Sequence, residues 1–271
     1  MWLLTSISTA MNYLKLLAIH AALFPLSLFA SPYHFNFNQE LGFIGFGTGL
    51  EIAGLYANSK KTKPTTQSVA SLNKNDINSI DRFVAGRWNQ SAGTRSDIVL
   101  YSTLVAPLLL PIVHRSSFWD ISLLYAETVL ITNGGMNVAK GFSNRYRPYA
   151  YNSDVPNDTL YDLDTKRSFF SGHAAHITAS SVFFAKVYSD MNPNSPYKNT
   201  VWLGSGLVTL FGSWQRLESG MHYPTDIIAG IAWGGLVGYS IPEWHLKRHK
   251  INVLPLIDTD NVGIQFFSSI N

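Results

Sequence analysis

Residues 216–226 read RLESGMHYPTD and lie between two apolar segments of the chain. Pro224 and Thr225 form a helix-start signal, because proline is well tolerated in the first turn of a helix. His222 and Asp226 are four residues apart, so the carboxylate can hold one imidazole nitrogen and leave the other free to attack. A purely structural His–Asp pair is the alternative. The stretch predicts a turn that leads into a helix and carries a candidate nucleophile.

Six apolar segments near or just under membrane-spanning length surround this stretch. They cover residues 41–57, 98–113, 121–139, 173–187, 201–214 and 227–241. The chain as a whole has 46% hydrophobic and 14% charged residues. Together with this composition, the segments predict an all-α helical bundle that is embedded in the membrane and has about five or six apolar helices. A soluble bundle is the alternative, since Glu51, Glu127 and a block of glycines would suit lipid poorly. Gly230, Gly234 and Gly238 recur every four residues, which predicts close packing of the last helix on a neighbour.

The chain divides into four predicted regions. Residues 1–30 resemble a signal peptide or signal anchor, with Lys15 before an uncharged apolar run that closes on Ala30. Residues 31–96 form an accessory region with a Gly-rich apolar segment and a polar loop. Residues 97–245 form the helical domain that carries the candidate chemistry, with Ser96 and Asp97 as the N-cap of its first helix. Residues 246–271 form a short strand-like C-terminal tail.

Composition excludes several kinds of site and partner. The chain has no cysteine, which excludes a disulfide scaffold, a thiolate zinc site, an iron–sulfur cluster and a cysteine nucleophile. Its net charge of +3 is mild, and it holds no run of five or six like charges that would indicate a nucleic-acid arm. Acidic small molecules and lipid headgroups remain plausible partners.

Two further clusters of polar residues lie at the ends of apolar segments. Lys140 and Arg147, followed by Pro148, combine a point charge and a forked guanidinium, which suits phosphate. Ser171, Gly172 and His173 precede an apolar helix, whose N-terminus offers backbone N–H groups and partial positive charge to an anion. The alternatives are a helix C-cap or membrane-flanking charges for the first cluster, and an ordinary N-cap for the second.

Taken together, the three clusters resemble the motifs of the type 2 phosphatidic acid phosphatase family. That family's pattern is Lys, six residues, Arg-Pro; then Pro-Ser-Gly-His; then Ser-Arg, five residues, His, three residues, Asp. The first motif is complete here, whereas Phe170 replaces the leading proline of the second and Gln215 replaces the serine of the third. Every residue to which the family assigns chemistry is present. The resemblance extends over about residues 98–241 and implies the family's helical bundle.

The resemblance also implies a mechanism. His222 would attack phosphorus to form a phosphohistidine, Asp226 would orient the imidazole, and His173 would protonate the leaving group. Lys140, Arg147, Ser171, Gly172 and Arg216 would bind the phosphate oxygens. No metal and no cofactor are expected, because the cations already supply the countercharge. The implied activity is hydrolysis of a phosphomonoester or pyrophosphate, with a phosphorylated lipid as the preferred substrate class.

The same three clusters also allow three other functions. A soluble exported non-specific acid phosphatase would use the same residues, the vanadium haloperoxidases resemble this family at the same clusters, and a degenerate site would only bind phospholipid headgroups.

The basic residues at 247–250 favour a cytoplasmic position for the end of the last helix. We therefore expect an inner-membrane protein whose site faces the periplasm, with the segment at 41–57 not spanning. A soluble periplasmic protein is the alternative.

Overall fold

The computed structural model describes residues 31–246 and the backbone of residues 249–258 and 261–270, so the predicted signal segment at 1–30 lies outside the described residues. Helices account for most of the described chain. They are α1 (Phe37–Ser59), α2 (Thr66–Ala70), α3 (Ser79–Arg82), α4 (Gln90–Val105), α5 (Leu109–Val113), α6 (Phe118–Phe142), α7 (Asn157–Leu160), α8 (Gly172–Met191), α9 (Lys198–Glu218) and α10 (Pro224–His245). The predicted all-α bundle is confirmed.

The long helices run alternately between two ends of the bundle. At one end, which we call the loop end, the segments at 60–89, 143–171 and 219–223 hydrogen-bond to one another. The N–H of Gly86 donates to the Pro148 carbonyl at 2.8 Å, and the N–H of Tyr149 donates to the Gly220 carbonyl at 3.0 Å. At the opposite or far end, the N–H of His34 donates to the His245 carbonyl at 2.6 Å. All three predicted motif clusters lie at the loop end.

Helix α8 is the centre of the bundle and packs against α4, α6, α9 and α10. Its contact with α10 is made by backbone. A Cβ atom added to Gly230, Gly234 or Gly238 would lie 2.5, 2.1 or 2.4 Å from the carbonyl oxygens of Ser171, Ala175 and Ala179, respectively. Those distances are far inside van der Waals contact, so each of the three positions requires glycine. The close packing predicted from the glycine repeat is confirmed.

Helix α1 lies lengthwise along α6 and runs in the same direction. Gly47 faces Leu130 and Gly54 faces the backbone of Asn137, which sets the close approach of the two helices. Glu51 accepts hydrogen bonds from the side-chain amides of Asn133 at 3.0 Å and Asn137 at 2.8 Å. This contact explains a carboxylate within an apolar segment, because amide donors satisfy it against α6.

The outward faces of five helices carry exposed apolar side chains, and we call this surface the apolar belt. One helical run in the described chain, Gln90–Val113, is long and apolar enough to be a candidate membrane span. The belt contains further exposed large apolar side chains, namely Phe37, Leu41, Phe46, Ile52 and Leu55 on α1, Ile98, Tyr101, Val105, Leu109, Ile112 and Val113 on α4 and α5, Leu203, Leu207, Leu210, Phe211 and Trp214 on α9, and Ile228, Leu236 and Trp244 on α10. Exposed apolar surface on this scale is typical of proteins that contact lipid or a partner.

The start of α4 differs from the expectation. Asn89 is the N-cap, and its side chain accepts from the Ala92 N–H at 3.1 Å. The predicted N-cap at Ser96 and Asp97 is therefore wrong, and α4 crosses the division drawn between residues 96 and 97. The first two turns of the helix consist of the polar residues at 90–97. The apolar pattern begins only at Ile98, so it does not indicate these turns.

The C-terminal tail forms two antiparallel strands, β1 (His249–Asp258) and β2 (Asn261–Ile270). Their register runs from His249 opposite Ile270 to Asp258 opposite Asn261. The strand-like prediction for this tail is confirmed. A short antiparallel bridge between Tyr33 and Leu246 lies at the end of α10, directly before the tail.

The α8–α10 contact generates a stability prediction. We expect Gly234→Ala to lower the free energy of unfolding by roughly 1–3 kcal/mol, because the added methyl group overpacks the helix interface. Gly235→Ala is the matched control, since its Cβ would meet only the Thr178 methyl group at 3.7 Å. Thermal unfolding of both variants in detergent measures the difference, and equal stabilities would contradict the proposed role of the contact.

Candidate active site

His222 lies in a tight turn between α9 and α10. Gly220 has a φ of +72°, and a Cβ there would lie 1.9 Å from the Arg87 carbonyl oxygen. The N–H groups of Met221 and His222 both donate to the Arg216 carbonyl, at 3.2 and 3.3 Å. The turn thus fixes the backbone of His222, and the side chain is only 1% exposed.

Arg147 is the cation closest to the candidate nucleophile. Its Nη1 lies 3.3 Å from His222 Nε2 and donates to the Met221 carbonyl at 3.0 Å. Its Nε donates to the Asp164 carbonyl at 2.9 Å, and its Nη2 pairs with Asp164 Oδ2 at 2.6 Å. These contacts orient the whole guanidinium. Burial raises the pKa of the Asp164 carboxyl, but Arg147 and Lys140 outweigh burial and hold that pKa well below its usual range.

The environment keeps the His222 imidazole neutral. Burial lowers its pKa first, and the nearby Arg147, Arg216 and Lys140 cations lower it further. Because a guanidinium can only donate, the contact with Arg147 assigns an unprotonated lone pair to Nε2 and the proton to Nδ1. A neutral imidazole with a free Nε2 is the form that can attack phosphorus.

Asp226 lies beside His222 but is held mainly by other groups. Its Oδ2 is 3.6 Å from His222 Nδ1, beyond hydrogen-bond distance, and that nitrogen has no hydrogen-bond partner in the described part of the chain. The same Oδ2 accepts from the Tyr223 N–H at 3.0 Å and from Ser168 Oγ at 2.6 Å. The carboxylate therefore lies close to the imidazole without the expected direct hydrogen bond. Three other donors hold it in place, and the third of these is Arg145.

The N-terminus of α8 forms the opposite wall. Ser171 is the N-cap, with its Oγ accepting from the Ala174 N–H at 3.3 Å, and its own N–H donates to the Asp226 carbonyl at 3.0 Å. A Cβ on Gly172 would lie 2.3 Å from Met136 Sδ and 3.6 Å from Lys140 Nζ. The absence of a side chain at Gly172 therefore makes room for Met136, and the Lys140 ammonium lies close to the first turn of α8.

His173 and Arg216 share a carboxylate that the sequence did not indicate. His173 Nε2 lies 2.7 Å from Asp97 Oδ1, and Arg216 Nη1 lies 3.6 Å from the same oxygen. Asp97 is on the second turn of α4, and 49% of its side chain is exposed. The buried Arg216 Nε has no hydrogen-bond partner among the described residues. A charged residue directly before an apolar run was the available signal for Asp97.

A second missed group connects Asp226 to the accessory region. Arg145 Nη1 donates to Asp226 Oδ1 at 2.5 Å, and its Nη2 pairs with the fully buried Asp81 of α3. Asp81 also accepts from the N–H and the hydroxyl of Thr225, at 3.0 and 2.6 Å. Arg145 thus forms ion pairs with the carboxylates of both Asp81 and Asp226. Arg145 lies within the first cluster, but its direction cannot be derived from sequence spacing.

The two departures from the family pattern lie outside these contacts. Gln215 accepts from Arg95 Nε at 2.8 Å and so ties α9 to α4. Phe170 is buried directly before Ser171 and packs edge-on against Phe169. Neither side chain replaces a group in contact with His222, so the expected phosphate-binding residues keep their positions.

The structure brings all eight predicted site residues to the loop end. Lys140, Arg147, Arg216 and the α8 N-terminus supply positive charge and N–H donors, and His222 and His173 supply two imidazoles. Such a set suits an anion with several oxygens and a proton-dependent group transfer. In the described chain, the group of three side chains spaced for a metal ion is Glu40, Glu127 and His245, at the far end.

The segment that holds these motifs is similar in sequence to known proteins. Residues 121–250 match the model of the PAP2 superfamily. Over these residues, which make up just under half of the chain, the sequence is similar to the PAP2 superfamily. The lipid A 4'-phosphatase of Porphyromonas gingivalis is 30% identical over 109 residues, which are 40% of this chain and 43% of that relative. The chain therefore matches less than half of that relative's length, and no solved structure matches it.

The lowered pKa of His222 generates a pH prediction. The neutral, attacking form exists above that pKa, so we expect kcat/KM for a phosphomonoester to persist through pH 6.5 and to fall only at lower pH. Two substrates with different phosphate pKa values separate an enzyme limb, which stays in place, from a substrate limb, which moves. An acidic enzyme limb centred at or above pH 6.5 would contradict the cationic environment described for His222.

Proposed function

We propose that this chain is a phosphoric monoester hydrolase that removes phosphate from a lipid through a phosphohistidine. The observation that carries the proposal is the approach of Arg147 to His222 Nε2 at 3.3 Å, beside the α8 N-terminus and Arg216. In this arrangement the nucleophile and the oxyanion-binding groups meet at one point. A pyrophosphate bond on a lipid would fit the same groups.

In the first half-reaction, His222 Nε2 attacks phosphorus and the bond from phosphorus to the leaving oxygen breaks. Arg147, Arg216, Lys140, Ser171 and the Gly172 N–H hold the three equatorial oxygens as charge develops on them. His173 donates its proton to the leaving alkoxide. In the second half-reaction, a water molecule gives a proton to His173 and attacks phosphorus, the P–N bond breaks, and inorganic phosphate leaves. No divalent metal takes part in either step.

Two carboxylates act as positioning residues in this scheme. Asp226, held by Arg145 and Ser168, faces the His222 Nδ1 edge and stabilises positive charge on the imidazole during phosphorus–nitrogen bond formation. Asp97, at 2.7 Å from His173 Nε2, orients the second imidazole and is itself exposed to an incoming substrate. These roles follow the general pattern in which an acid or base is oriented by a third group.

The apolar belt supports a lipid substrate and membrane association. Its exposed side chains would be costly on a soluble exported acid phosphatase, because apolar area that contacts water gains nothing from the hydrophobic effect. The P. gingivalis relative is named for action on a phosphorylated lipid. We propose a bundle in the inner membrane, with the loop end at the water boundary where a headgroup phosphate can reach it.

Replacement of the nucleophile tests the reaction. We expect His222→Ala to lower kcat by at least about 10³-fold, since the cysteine-free chain offers no thiol substitute. His34→Ala, which changes an exposed histidine at the far end, is the control and should keep full activity. Phosphate release from phosphatidic acid and from lipid A in mixed micelles measures both variants.

The covalent intermediate and the competing chemistry are read in the same preparation. Acid-labile, base-stable phosphate should be trapped on the wild-type chain during turnover and be absent from His222→Ala. Wild-type activity in His222→Ala would end the phosphohistidine proposal. Bromide oxidation in the presence of vanadate, without phosphate release, would identify a haloperoxidase, and headgroup binding without either reaction would identify a non-catalytic binder.

We further propose that the loop end faces the periplasm, with α1 packed against the bundle without crossing the bilayer. Support comes from the basic residues at 247–250, which follow α10 in the sequence. Single cysteines in the cysteine-free chain test this orientation. Lys63→Cys at the loop end should react with a membrane-impermeant maleimide added to spheroplasts, and Asn194→Cys at the far end should not. The reverse labelling pattern would mean that α1 crosses the membrane and that the site is cytoplasmic.

A further inference from the structure

Three ionisable side chains from three helices meet at the far end. Glu40 of α1, Glu127 of α6 and His245 of α10 are all buried, and their ligand atoms lie within 4.8 Å of one another. His245 Nε2 is 3.2 Å from both Glu40 carboxylate oxygens and 3.7 Å from Glu127 Oε2. We call these residues the far-end triad. Nothing in the phosphatase mechanism uses them.

The backbone fixes which nitrogen of His245 faces the triad. Nδ1 lies 2.7 Å from the Ile241 carbonyl oxygen, which can only accept, so Nδ1 carries a proton. In the neutral imidazole, the lone pair of Nε2 therefore points at the two carboxylates. A histidine whose one nitrogen donates to a backbone carbonyl and whose other nitrogen faces carboxylates has the arrangement typical of metal-ligating histidines.

Glu127 is the second observation that indicates a ligand. Its side chain is 1% exposed, and neither carboxylate oxygen has a hydrogen-bond donor among the described residues. A buried carboxylate without a donor or cation costs several kcal/mol. An ion between the three side chains would give both Glu127 oxygens a partner.

We propose that the far-end triad binds a divalent transition-metal ion, with zinc as the best-fitting case. Bonds of about 2.0–2.1 Å in a tetrahedral site place neighbouring ligand atoms about 3.3 Å apart, close to the observed 3.2 and 3.7 Å. One imidazole and two carboxylates form a ligand set that such ions accept. The rings of Phe35 and Phe43, at 5.1 and 5.2 Å from the His245 ring, supply an apolar shell.

The ion has a structural role. His245 is 19 residues beyond Asp226 on α10, which places the far-end triad about 28 Å along the helix from the phosphate site. The metal-free chemistry proposed for the loop end is therefore unaffected. Because the ligands come from α1, α6 and α10, the ion joins the accessory region to the helices that match the PAP2 superfamily.

Metal content of the full-length chain tests the proposal. The chain is purified in detergent without a histidine tag, incubated in separate samples with Zn²⁺, Mn²⁺ and Fe²⁺, desalted and analysed by inductively coupled plasma mass spectrometry. We expect about one zinc ion per chain in the wild type and at least a tenfold lower content in Glu127→Gln and in Glu40→Gln. Glu51→Gln is the matched control, because Glu51 is satisfied by two asparagines on α6, and it should keep the ion.

Thermal unfolding provides the second readout. A strong chelator should lower the Tm of the wild type and of Glu51→Gln but leave that of Glu127→Gln unchanged. A wild type that stays metal-free with all three ions, or a Glu51→Gln variant that loses as much metal as Glu127→Gln, would overturn the proposal and leave the far-end triad as a proton-sharing polar cluster. His222→Ala should keep the ion, so this outcome is independent of whether the phosphatase proposal holds.

Discussion

The backbone contact between α8 and α10 is the constraint on which the candidate site depends. Three glycines of α10 lie against carbonyl oxygens of α8, and the first of these carbonyls belongs to Ser171. The same contact is extended by the hydrogen bond from the Ser171 N–H to the Asp226 carbonyl at 3.0 Å. A separation of the two helices by one methyl layer would move the anion-binding N-terminus of α8 away from the turn that holds His222.

Electrostatic balance at the loop end follows from this close approach. Lys140, Arg147 and Arg216 converge on a buried imidazole, and their mutual repulsion is reduced by Asp164 and Asp97 at its edges. Asp97 is partly exposed, which allows water or substrate to reach it. A phosphate that enters the site would replace part of this countercharge, so the cost of keeping the cations together is lowest when the substrate is bound.

The sequence was informative where short motifs carry backbone requirements. The glycine repeat of α10, the helix start at Pro224 and the small residues before α8 all predicted local structure that the fold contains. It was uninformative where a role depends on the direction of a side chain over long separations. The sequence predicts a helix cap at Asp97, and the pairing of Asp81 with Arg145 spans 64 residues. No periodicity within one segment encodes either contact.

The accessory region contributes to both buried clusters, although the PAP2 match begins only at residue 121. At the loop end, Asp81 of α3 neutralises Arg145, which in turn holds the Asp226 carboxylate. At the far end, Glu40 of α1 faces His245 and Glu127. Without residues 31–96, each cluster would retain buried polar groups of the matched segment and lose a partner from outside it. Because an unpaired buried charge costs more than the pair contributes, residues 31–96 contribute to the electrostatics of the matched segment and not only to its packing.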